Sequence, residues 1–91
     1  MTAKESAYVA RVRSLSCVLC DMLGQRQTTP TNVHHPREGQ GLSQRADHFL
    51  SIALCQECHQ GKLGIHGDRT LLRIAKVDEM DLLAATVERL Q

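Results

Sequence analysis

The sequence predicts a small α+β domain, and three features predict it. Two Cys-x-x-Cys pairs, Cys17/Cys20 and Cys55/Cys58, have the spacing of metal ligands. Apolar residues recur at helical intervals near both ends of the chain. Between them lie two short segments with the character of strands. Ninety-one residues make one domain, 1–91, too short for two independent cores. With no Trp, one Phe (Phe49) and one Tyr (Tyr8), the core is expected to be aliphatic and thin. Such a core calls for support from a metal or a partner subunit.

Thr2 followed by Glu5 fits a capping box, in which each side chain satisfies an orphan amide at a helix start. Tyr8, Val12 and Leu15 continue at helical spacing, so residues 3–15 form the expected N-terminal helix, ending at the first cysteine pair. The polar stretch GQRQTTPT, with Pro30, reads as a connection. Thr31 to His35 reads as extended, because the residue before Pro36 is driven away from helix. Residues 36–47 carry two glycines and a proline and read as an exposed loop. Phe49 to Leu54 reads as a buried strand running into the second cysteine pair. Asp68 is placed to cap a helix holding Leu71, Leu72, Ile74 and Ala75. Asp78 is placed to cap another, with Met80, Leu83, Val87 and Leu90 on a core-facing stripe. Residues 68–91 thus form the expected C-terminal helices.

The formal charge of +1 conceals an uneven spread. Residues 1–77 hold ten Lys or Arg against six Asp or Glu, whereas residues 78–91 hold one base against four acids. A mildly basic body permits nucleic-acid contact without demanding it. No apolar run of about 18 residues is present, which argues against a membrane span. The N-terminus lacks the apolar stretch of a signal peptide. Four cysteines in that context read as thiolates for a metal in a cytoplasmic protein, rather than as disulfides.

Zinc takes four soft or borderline ligands in a tetrahedron, and each CxxC turn supplies two on one side. Cys17, Cys20, Cys55 and Cys58 therefore make a closed, structural zinc site with no vacant position for chemistry. Reduced buried thiols or a redox pair are the alternatives, and the βαβ surroundings of a thioredoxin-like motif are missing. The two pairs stand 34 residues apart, about twice the 15–20 of an ordinary zinc ribbon. The metal would clamp the ends of an insertion containing something else.

That insertion carries His34-His35, and His48, His59 and His66 complete the set of five histidines. Neighbours on an extended segment face opposite ways, so His34 and His35 could take different tasks, one on a metal and one on water or substrate. A bent backbone could instead bring both to one cleft. His59 directly follows Cys58 and would be fixed at a helix-like turn. His66 lies beyond a glycine-bearing stretch that lets the chain fold back.

The order CxxC, then HH, a glycine-bearing loop, SIALC, and CxxCH with a further histidine resembles the HNH, or ββα-metal, nuclease motif. The stretch GQGLSQRADHFLSIALCQECHQGKLGIHG is similar to small phage and prophage HNH proteins, including recombination-enhancement nucleases. The resemblance spans residues 17–67 and implies a ββα-metal finger flanked by the terminal helices. It implies a metal ligand and a general base at His34 and His35, and a second ligand at His59. A third ligand falls on His66, although the family often spaces its last two ligands one helical turn apart and here they stand seven residues apart. The middle Asn of the family name is missing before LC, and Asp47 or His48 is left to brace the loop and orient the base.

The implied chemistry is phosphodiester hydrolysis of DNA. His35 would accept a proton from water, and one catalytic divalent cation (Mg²⁺, Mn²⁺, Ni²⁺ or Zn²⁺) would sit on His34, His59 and His66. Imidazole ligands suit zinc, nickel, cobalt or manganese better than magnesium. Arg37 and Arg45 are candidate phosphate clamps, or ordinary solvated charges on a loop. No recognition helix or aromatic stacking platform is legible, so weak sequence preference and salt-sensitive affinity are expected. A homodimer, or a host or phage recombination protein, is a candidate partner. The alternatives to a nuclease are an inactive zinc-binding nucleic-acid module and a phage adaptor protein with a helical interaction surface.

Overall fold

The computed structural model describes residues 1–36 and 48–91. Helix α1 spans Ala3–Arg13 and opens with the expected box: Thr2 Oγ1 accepts from the Glu5 amide, and Glu5 accepts from the Thr2 amide. It ends two residues sooner than the sequence predicts. Its inward face is Val9 and Val12, with Tyr8 half-buried beside them.

The first cysteine pair begins a helix that the sequence reading did not foresee. Helix α2, Val18–Leu23, has Cys17 as its N-cap, whose sulfur accepts from the Cys20 amide at 3.4 Å. Gly24 stops it in the left-handed region (φ 67°), where a side chain would be strained. Strand β1, Thr31–His34, pairs antiparallel with β2, Ile52–Cys55. The register sets Thr31 opposite Cys55 and His34 opposite Ile52. Helix α3, Gln56–Gln60, follows β2 without a break.

The second strand starts later than predicted. Phe49 and Leu50 lie outside it and are 44% and 41% exposed, whereas Ser51 to Cys55 are buried throughout. Phe49 instead packs edge-on against Tyr8, ring centroids 5.3 Å apart. Of the segment read as an exposed loop, Pro36 is fully buried; Arg37, Arg45, Asp47 and the rest of 37–47 lie outside the described residues.

Helix α4, Thr70–Ala75, is preceded by Arg69 rather than capped directly by Asp68. The Asp68 carboxylate accepts from the Thr70 amide and hydroxyl. Helix α5, Glu79–Leu90, starts at Asp78 as expected, with Asp81 completing a second capping box. Its buried stripe is displaced from the predicted one. Glu79, Leu82 and Thr86 face inward, Leu83, Val87 and Leu90 are half-buried, and Met80 is 43% exposed. The apolar residues of α5 occupy a wide arc, so the side that packs is decided by its neighbours.

The core gathers Val18, Leu19, Ile52, Leu54, Ile65, Leu72 and Leu82 around the four cysteines. A buried two-stranded sheet leaves amides on its outer edges to be satisfied. Thr86 answers one of these: its hydroxyl accepts from the Ala53 amide at 3.3 Å and donates to the Leu82 carbonyl at 2.9 Å. Among the described residues, no helix is long and apolar enough to cross a membrane.

Candidate metal centres

The four cysteines converge because two N-caps face each other. Cys17 and Cys20 come from the start of α2, and Cys55 and Cys58 from the junction of β2 and α3. All four sulfurs lie within 4.8 Å of one another and all four residues are buried. Cys20 Sγ stands 3.7 Å from the sulfurs of both Cys55 and Cys58. A tetrahedron of thiolates at the zinc–sulfur bond length has an edge of about 3.8 Å. The cluster can therefore hold one metal ion with little rearrangement.

Polar side chains hold the first pair in place. Gln27 Oε1 accepts from the Cys17 amide at 2.6 Å, while its Nε2 donates to the Thr29 carbonyl and the Thr31 hydroxyl. Gln25 Nε2 donates to Cys20 Sγ at 3.5 Å. A hydrogen bond from the Cys58 thiol draws Cys17 down to about 5, and that same bond pushes Cys58 up. Burial pushes Cys20 up to about 11. A cation entering this pocket must displace protons, so its affinity falls as the pH falls.

A second cluster lies next to the first. His34 ends β1, His59 follows Cys58 on α3, and His66 comes from the turn beyond. Their ligand atoms lie within 4.8 Å of one another. His34 Nδ1 is 3.3 Å from His59 Nε2, and His66 Nε2 is 3.1 Å from that same atom. An imidazole nitrogen has one in-plane position, taken by a lone pair or by a hydrogen. His59 Nε2 therefore cannot satisfy both neighbouring rings well by hydrogen bonding. Three lone pairs aimed at one cation satisfy all of them, and a tetrahedral site with imidazole ligands sets its nitrogens about 3.3 Å apart.

Glycines explain how His66 arrives. The chain folds back over α3, with the Ile65 amide donating to the Cys58 carbonyl at 2.8 Å and the His66 amide to the His59 carbonyl at 3.0 Å. Gly64 lies so close to α3 that a Cβ there would stand 2.4 Å from the Cys58 oxygen. Two histidines seven residues apart thus become neighbours without sharing a helix.

His35 follows the strand's last residue and lines the same cavity as its neighbour. That cavity, about 190 Å³, is bounded by Val33, His34, His35, His59 and His66. His35 Nε2 is 3.3 Å from Nδ1 of His48. A larger cavity of about 370 Å³, lined by Arg69, Leu72, Arg73, Lys76, Val77, Asp78 and Asp81, contains no histidine or cysteine. The candidate histidine ligands therefore lie at the smaller cavity.

In the metal-free protein His34 and His59 are biased toward the neutral form, which is the form that ligates. Burial pushes His34 down to about 4; the rings of His59 and His66 add to the effect and Glu79 opposes it. His59 is lowered for the same reasons, burial first and His66 second.

Of the predicted site residues, the fold gathers the four cysteines in one cluster and His34, His59 and His66 in another, with His35 on the cavity beside the second. The sequence reading passed over two residues behind the ligands. Asn32 places its amide 3.4 Å from His59 Nδ1. With the amide oxygen turned to that nitrogen, it accepts from Nδ1–H and leaves Nε2 as the lone pair. Glu79, read only as part of an acidic tail, is 5% exposed and sits behind His34. Their signals were weak: an Asn two residues before a His, and a Glu beside a cap.

Set beside models of protein families, curated proteins and solved structures, the chain matches none of them.

Proposed function

We propose that this chain is a metal-dependent endonuclease of the HNH (ββα-metal) type, hydrolysing phosphodiester bonds of DNA above a structural zinc held by Cys17, Cys20, Cys55 and Cys58. One observation supports this reading more than any other. A single cavity contains a cluster of three histidines suited to one cation and, beside it, a fourth histidine outside that cluster. A purely structural zinc module has no use for that arrangement. The strand–strand–helix order that delivers His34 and His59 agrees with the motif read from the sequence.

In this reading His34, His59 and His66 hold the cation. When bound, it supplies Lewis acidity to the phosphate and to the departing oxygen. His35 accepts the proton of the attacking water. The hydrogen bond between His35 and His48 decides which nitrogen of His35 is basic, the task left open between His48 and Asp47. His66 is exposed, which leaves a route for substrate to the cation.

Plasmid nicking with Mg²⁺, Mn²⁺, Co²⁺, Ni²⁺ and Zn²⁺ tests the proposal. The wild-type chain is expected to nick in at least one of these ions. His35→Ala is expected to lose about 10²–10⁴-fold, as for removal of a general base, with metal content unchanged. DNA binding without cleavage in every ion would replace this reading with that of an inactive nucleic-acid module.

A further inference from the structure

The geometry points to Glu79 as the positioning residue of the histidine centre: its buried carboxylate receives the Nε2–H of His34 and so holds Nδ1 as the metal-binding atom. This inference rests on the reading of His34, His59 and His66 as a cation site.

Two independent features of the resting structure lead to it. First, His34 Nε2 is a buried side-chain nitrogen with no hydrogen-bond partner among the described residues. A ligand that uses Nδ1 must carry its proton on Nε2, and a buried N–H needs an acceptor. Second, a carboxylate oxygen of Glu79 stands 3.7 Å from that nitrogen, with both side chains almost wholly buried. The gap exceeds a charge-assisted hydrogen bond of about 2.9 Å by less than an ångström. A shift of under an ångström brings the pair within hydrogen-bond distance.

Arg69 gives the Glu79 carboxylate a second neighbour. Its guanidinium lies 3.6 Å from the same Glu79 oxygen and is itself 42% exposed. Arg69 reaches that place from a left-handed backbone (φ 64°), which is unfavourable for a residue with a Cβ. The result is a line of groups from solvent to the site: guanidinium, carboxylate, neutral imidazole, cation. Metal-bound histidines commonly give their second N–H to a carboxylate, which fixes the tautomer and strengthens the donor atom. Here the carboxylate comes from α5, outside the strand–strand–helix unit. The C-terminal helix is thereby made part of the metal centre.

The test is metal binding, independent of cleavage. The full chain, with its cysteine site loaded with zinc, is titrated with Co²⁺ or Ni²⁺ in competition with a chromophoric chelator. Glu79→Leu keeps the bulk and removes the acceptor; it is expected to weaken the histidine site by about 10–100-fold and leave the cysteine site filled. Glu79→Gln retains an accepting oxygen and is expected to recover part of that loss. Wild-type protein loaded with Zn²⁺ should also show a slowly exchanging Nε2–H on His34, absent in Glu79→Leu. Should Glu79→Leu fail to fold, a drop in Glu79→Gln together with the protected proton in wild type supports the assignment. Wild-type affinity in Glu79→Leu, or a rapidly exchanging His34 Nε2–H in zinc-loaded wild type, would overturn it. Failure of the wild-type histidine cluster to take any metal would instead overturn the cation site and, with it, the proposed hydrolysis.

Discussion

The cysteine cluster and the histidine cluster share α3, where Cys58 and His59 are adjacent residues, yet they are built to opposite ends. Cys17, Cys20, Cys55 and Cys58 are each at most 2% exposed and could fill all four positions of a tetrahedral ion with protein atoms. The histidine cluster offers three candidate ligands, one of them exposed, and opens on a cavity shared with His35. A closed site can only hold the fold, whereas an open one leaves a coordination position for something else. The side chains that touch the two clusters from behind differ to match. Gln25 and Gln27 donate or accept at the sulfur pocket through local hydrogen bonds from the same connection. Asn32 and Glu79 come to the imidazoles from a strand and from a distant helix. Placing the two side by side lets the rigidity of the first position the ligands of the second.

That contrast can be broken most severely from the sulfur side. Cys58→Ser is expected to abolish cooperative folding, because structural zinc contributes about 10–16 kcal/mol of apparent binding energy in small zinc domains. Circular dichroism and metal content should both collapse, the histidine site with them. Retention of a folded chain and a loaded histidine site would show that the two clusters are independent.

A milder change separates them. Gly64→Ala drives a Cβ against the Cys58 carbonyl, at 2.4 Å before relaxation, and must push the returning chain away from α3. We expect a loss of about 1–3 kcal/mol, as for overpacked sites, read by thermal melting. The larger readout should be metal content, falling from two ions per chain toward one as His66 leaves the cluster. Unchanged stoichiometry would mean that His34 and His59 suffice.

The smallest effect is one of pH. Folding holds His34 at about 4, below its ordinary value near 6.5. Between those values the unfolded chain binds the extra proton, so stability is complete above about pH 6.5 and declines as the pH falls toward 4. In protein free of metal at the histidine site, the melting temperature should therefore drop more steeply below pH 6.5 in wild type than in His34→Gln. Equal slopes would mean that His34 is not buried in its neutral form.

Much of this architecture was legible along the chain because its causes are local. The boxes at Thr2/Glu5 and Asp78/Asp81 join residues three apart, and each CxxC turn is complete within four residues. The misreadings arise where contacts between distant residues overrule the local pattern. Phe49 and Leu50 resemble strand residues by composition, yet one packs on Tyr8 and both are exposed. The stripe on α5 was assigned from its apolar members, whereas the inward face carries Glu79 and Thr86. A polar residue turns inward only where a partner awaits it, and here the partners are His34 and the Ala53 amide.

The sequence by itself determined the ligand chemistry: thiolates in two pairs, imidazoles between and after them, and helices capped at both ends. Only the tertiary structure decided that His66 joins His34 and His59, that His48 meets His35, and that Glu79 stands behind His34. Those meetings depend on strand register, on a chain return made possible by glycine, and on the packing of α5, and each links residues whose separation in sequence carries no periodic signal. Short-range hydrogen bonding writes its pattern into neighbouring letters; convergence across the fold does not.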